Sequence, residues 1–286
     1  MSKSKSSNTG AIVGICVLLV LLCLLMAGTV FFMLQGGTMD SFLSRFRIEG
    51  GEAAAPTNAS VQTASAAQSQ LPSDSTPAFV PAQETLLAET PRADDSYLDD
   101  LLFLGDSRTV GMVEMGLIDE SNAMAIIGLS HSQALTEEFY DEDDGCYYTI
   151  EEKVTYRQPD KIMVSFGVNG VAFMSEDEFM DDYEELIDLL QESSPNSAII
   201  IQSILPVGSI QEENDPRLTN ERINHYNILL YDLAKDKGVY FLDSSGCLMD
   251  ENGYLSSEYD SGDGLHFNKE ADEVLMDYIL THAVTE

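Results

Sequence analysis

The stretch Leu102-Phe103-Leu104-Gly105-Asp106-Ser107-Arg108-Thr109 decides how this chain folds. A short apolar run enters a Gly-Asp-Ser turn, and the residues after it read as a helix. That pattern predicts a buried strand with a serine at its tip. Phe166-Gly167-Val168-Asn169 is a second strand-end turn, and Asp263-Gly264-Leu265-His266 follows near the C-terminus. These residue types can work together. A serine hydroxyl is a weak nucleophile until a base takes its proton. A histidine can be that base when an aspartate fixes its tautomer. An asparagine amide can donate to the oxygen on which negative charge develops.

Outward from the motif, short apolar runs alternate with amphipathic stretches. Strands are expected at Leu101–Leu104, Ala123–Ile127, Lys161–Phe166, Ala198–Ile204 and Val239–Leu242. Helical spacing over Ser175–Gln191 puts Phe179, Tyr183, Leu186, Ile187 and Leu190 on one face. A second helix fits Asn220–Lys237, ended by Gly238, and a third fits Lys269–His282. Alternating strands and helices predict an α/β domain, with a parallel sheet of about five strands between two helical layers. Ligands of such sheets bind beyond the C-terminal strand ends, where Ser107 and Asn169 fall.

The ordered blocks Gly105-Asp106-Ser107, Gly128, Gly167-Val168-Asn169 and Asp263-x-x-His266 resemble those of the SGNH hydrolases, the GDSL-type esterases and lipases. The resemblance covers Tyr97 to Glu286. It implies a three-layer, flavodoxin-like domain and a serine esterase that works through an acyl-enzyme. Ser107 would be the nucleophile, His266 the base and Asp263 its partner. The oxyanion would be held by the backbone N–H of Ser107, that of Gly128, and the Asn169 side chain. A shifted alignment would put His131 in the place of Gly128. Asp106 is expected to shape the turn. Arg108 stands where the family has the leucine of its name, and Gly170 where it often has aspartate. The first change is expected to be tolerated because the position is not catalytic; the second could loosen the turn that aims Asn169. His131, His225 and His282 have no aspartate at a matching spacing.

Residues 11–34 hold no charge over 24 positions, long enough to span a bilayer and too long for the core of a cleaved signal peptide. The expected layout is a cytoplasmic tail at 1–10, a transmembrane helix at 11–34, a disordered linker at 35–95 and the hydrolase domain at 96–286. In that layout the domain lies outside the cell.

The chain carries 14 basic and 49 acidic residues, and only five and eight of these precede Ser96. So acidic a domain repels phosphate backbones, which argues against a nucleic-acid partner. Cys146 and Cys247 are too few for a disulfide framework, no Cys/His spacing fits zinc, and no cofactor is expected. The expected substrate is an O-acyl ester, above all O-acetyl, on a surface polysaccharide or peptidoglycan. A lipase or lysophospholipase, an O-acyltransferase using the same residues, and a non-catalytic glycan- or protein-binding module are the alternatives.

Overall fold

The computed structural model describes residues 85–141 and 144–285. The expected tail at 1–10, the apolar stretch at 11–34 and linker residues 35–84 lie outside these. Among the described residues no helix is long and apolar enough to cross a membrane.

The chain runs β1 (Leu101–Gly105), α1 (Ser107–Glu114), β2 (Ala123–Ala125), α2 (His131–Ala134), β3 (Phe139–Asp141) and β4 (Cys146–Tyr148). It continues through α3 (Ile150–Arg157), β5 (Lys161–Ser165), α4 (Val168–Val171), α5 (Glu176–Ser193) and β6 (Ala198–Gln202). The last elements are α6 (Ser209–Asn214), α7 (Asn220–Lys237), β7 (Tyr240–Leu242) and α8 (Lys269–Thr281). Five strands form one sheet in the order β2-β1-β5-β6-β7, and all four pairings are parallel. All five expected strands are present, most of them one or two residues shorter than their apolar runs.

Strand side chains alternate between faces, so each strand feeds two cores. Leu102, Leu104, Ile162, Val164, Ile199 and Ile201 pack with Val154 of α3, Phe179 and Tyr183 of α5, and Ile223 and Leu230 of α7. Leu101, Phe103, Met163, Ile200 and Leu242 face the other way, onto Met112 of α1 and Leu275, Met276 and Ile279 of α8. The result is a three-layer α/β/α domain. Strands buried on both faces read as continuous apolar runs, as β1 and β6 do.

The ordered domain begins before Ser96, where the sequence places the end of a disordered linker. Leu86 bridges Phe241 at the β7 edge, and Leu87 N–H donates to the Phe241 carbonyl at 2.9 Å. Thr90 and Ala93 N–H donate to the Thr281 and Leu280 carbonyls at 2.7 and 2.8 Å. These are main-chain contacts, so a polar, Pro-containing composition hides them.

Candidate active site

The sheet reverses its winding at β1, which has β2 on one side and β5 on the other. A crevice opens where crossovers leave in opposite directions. β1 and β5 pair from Leu101↔Lys161 to Gly105↔Ser165, so both end at one level. Just beyond them stand Ser107, the first residue of α1, and Asn169 in α4. Asp106 is the N-cap of α1, and its Oδ1 accepts from the Arg108 amide at 3.0 Å. Its Oδ2 accepts from Asn169 Nδ2 at 3.1 Å, so one buried carboxylate fixes both turns. Burial pushes the Asp106 carboxyl up, against the pull of the nearby Arg108 guanidinium.

The structure brings Ser107, His266 and Asp263 together. Ser107 Oγ lies 3.0 Å from His266 Nε2, and His266 Nδ1 lies 2.7 Å from Asp263 Oδ2. Asp263 Oδ1 also accepts from the Leu265 and His266 amides, each at 2.8 Å. The three-residue spacing therefore lets the carboxylate hold the backbone and the ring of the same histidine. Partial burial raises the Asp263 pKa, but the hydrogen bonds from the His266 ring and the two amides outweigh it and bring the group to about 2. With Nδ1–H donating to an ionised carboxylate, Nε2 is left to accept the serine proton.

Asn169 is half-buried, and Nδ2 donates to Leu129 O at 3.1 Å as well as to Asp106. Gly128 lies beside it in an exposed turn closed by Leu129 N–H to Ile126 O at 3.2 Å. Its φ of +79° at the third turn position favours glycine. Among the described residues its amide has no acceptor. His131 is different. Its side chain is fully buried, packed edge-on to Phe179, with Nε2–H donating to the Phe179 carbonyl at 3.0 Å. Burial takes it down to about 4, so it stays neutral. Of the two positions, Gly128 is the exposed one.

Gly170 sits where its surroundings admit no side chain. A Cβ there would meet the Phe179 ring at 2.9 Å and His131 at 3.0 Å, so the packing leaves no room for the family's usual aspartate. The remaining histidines lie elsewhere: exposed His225 pairs with Glu176 at 2.6 Å, and His282 stacks on Tyr278. Cys146 and Cys247 are both free thiols. Arg108 shows in the sequence only as a departure from the family's motif. It is 9% exposed and donates to the Leu205, Pro206 and Leu265 carbonyls at 2.9 to 3.2 Å.

A five-stranded parallel sheet with this serine, asparagine and Asp-x-x-His at its switch point is that of an SGNH hydrolase. The chain belongs to the GDSL-like lipase/acylhydrolase family, which it matches over residues 103–274, and it is an ester-hydrolysing enzyme. No curated protein matches the chain. A Streptococcus pneumonia structure, provisionally described as a platelet activating factor, is similar with a TM-score of 0.50 and 24% identity, over 63% of this chain and 81% of its own. A provisionally described acylhydrolase from Bacteroides fragilis NCTC 9343 is similar with a TM-score of 0.50 and 18% identity, over 66% and 88%. At these identities the likeness is one of fold.

Proposed function

We propose that this enzyme is a serine esterase in which Ser107 is the nucleophile, His266 the general base and Asp263 its orienting partner. The reading rests on one observation, the hydrogen-bonded chain from Ser107 Oγ through the His266 ring to Asp263. Ser107 Oγ attacks the ester carbonyl carbon as its proton passes to His266 Nε2. The carbonyl π pair moves onto oxygen, where the Ser107 and Gly128 amides and Asn169 Nδ2 donate to it. Collapse expels the alcohol, which takes the proton from His266. Water, deprotonated by His266 in turn, releases the acid from the acyl-enzyme and restores Ser107. Asn169 Nδ2 must share a hydrogen now given to Leu129 O or Asp106, so its donation strengthens as the oxyanion forms.

The substrate we favour is an O-acetyl ester on a surface polysaccharide or peptidoglycan. A groove of about 780 Å³ runs along the open edge of β2, lined by Val110 of α1 and by Ile126 but by none of Ser107, Gly128, Asn169, Asp263 and His266. Tyr140 and Tyr147 line it, both exposed, as do Glu114 and Asp119. Aromatic faces and carboxylate acceptors suit a hydroxyl-rich sugar, and the acidic domain disfavours an anionic bilayer surface. With residues 11–34 as an uncleaved anchor and 35–84 as a tether, the domain would work outside the cell near its membrane. Acetate release from O-acetylated peptidoglycan by the enzyme, and none by Ser107→Ala, is the expected result. Fatty-acid release from phospholipid vesicles, with glycan acetyl groups untouched, would overturn the substrate reading.

A further inference from the structure

We propose that Arg108 is a positioning residue for His266, clamping the loop that carries the histidine onto the helix that carries Ser107. The inference rests on the roles given above to Ser107 and His266. Nε and Nη2 of Arg108 both donate to the Leu265 carbonyl, at 3.2 and 3.1 Å. Nη2 also donates to Pro206 O at 3.0 Å, and Nη1 to Leu205 O at 2.9 Å. The guanidinium carbon lies 4.6 Å from the Phe267 ring centroid. Leu265 and Phe267 flank His266, so one side chain grips the chain on both sides of the base.

The loop needs such a grip. Gly262 and Gly264 sit at φ of +113° and +76°, and the Asp263 and His266 side chains are 53% and 41% exposed. Its other ties run elsewhere. Gly208 N–H donates to Gly264 O at 2.7 Å, at the start of α6, while Ser261 N–H to His266 O and the Asp260–Phe267 bridge stay within the loop. Among the described residues, every hydrogen bond from this loop to α1 other than Ser107–His266 itself comes from Arg108. The family's leucine has no donors and could not make this clamp. Lysine offers a point charge in place of a planar fork. Its three acceptors are neutral carbonyls; burial lowers the Arg108 pKa to about 10, the Asp106 and Asp263 carboxylates oppose that fall, and the group stays protonated at neutral pH.

A misplacement of about 1 Å in such a site costs about 100-fold in rate. The test compares Arg108→Leu, Arg108→Ala and Arg108→Lys in ester hydrolysis, with folded fraction measured by circular dichroism. Leu and Ala variants are expected to lose about 10- to 100-fold in kcat with KM within about twofold. The Lys variant should fall between them and the parent. Added guanidinium ion should restore part of the Ala variant's rate, and the downfield Nδ1 proton of His266 should exchange faster in the variants. A folded Leu variant with kcat within about twofold of the parent would overturn the proposal. So would a rate loss that merely tracks the folded fraction and ignores guanidinium. Should neither Leu nor Ala fold, the Lys variant decides: a parental kcat overturns the clamp, and a selective kcat loss supports it. Ser107→Ala, assayed in parallel, isolates the underlying reading. If that variant still turns over, the roles of Ser107 and His266 fail whatever the Arg108 variants do.

Discussion

Asp272 offers a prediction with a worked magnitude. It lies in the first turn of α8, 2% exposed and close to Gly111 of α1, and its Oδ1 has no partner among the described residues. Burial raises its pKa from 3.8 to about 7. A carboxyl raised in this way favours the folded state fully only while protonated in both states, below about pH 4. That contribution is lost progressively as pH rises to the folded value, at about 1.4 kcal/mol per unit. Asp272→Asn removes the titration while keeping the shape. Any fixed cost of the new amide is independent of pH and cancels in a comparison of two pH values. Relative to the parent, the variant should therefore gain about 2–3 kcal/mol in unfolding free energy between pH 5 and pH 8. Urea unfolding of both proteins at half-unit steps from pH 4 to 9 measures this. Parallel curves for parent and variant would refute the reasoning, because the carboxyl would then titrate alike folded and unfolded.

Other expectations follow from the site and its packing. Asn169→Ala should lower kcat about 100- to 1,000-fold with little change in KM, since an oxyanion donor acts mainly in the transition state; steady-state kinetics on p-nitrophenyl acetate checks it. Asp263→Asn should lower kcat about 10⁴-fold in the same assay, because the His266 ring loses the acceptor that fixes its tautomer. With its carboxyl brought down to about 2, Asp263 should stay ionised through the mildly acidic and neutral range, so the acid limb of a kcat profile measured above pH 4 should not come from it. Gly170→Asp should destabilise the protein by about 1–3 kcal/mol in thermal unfolding, as the new side chain meets the Phe179 ring.

The parts of this molecule that the sequence made legible are those written in local pattern. The β1 run into Gly105-Asp106-Ser107 announced strand, turn and helix together. Asp263-x-x-His266 is a contact made across three residues, so its spacing alone carried it. The long helices α5 and α7 advertised themselves through their apolar faces; α7 has the expected bounds, Asn220–Lys237. What stayed hidden depends on distant or main-chain partners. Arg108 reads as a departure from a motif, because its acceptors lie 97 to 157 residues away. The bonds of Thr85–Ala93 to β7 and α8 use backbone groups that any composition supplies. Gly170 looks like a weakened turn until Phe179, nine positions on, is seen to fill the space. The hairpin β3–β4 and helices α2, α4 and α6 are too short to show a period.

The most direct test is the intact mass of the protein and of Ser107→Ala after treatment with a fluorophosphonate, with peptide mapping of the adduct. One adduct per chain, located on Ser107, lost in the variant and blocked by prior denaturation, is the predicted result. No adduct on the folded parent, or one on another residue that persists in Ser107→Ala, would contradict the assignment of Ser107 as the nucleophile.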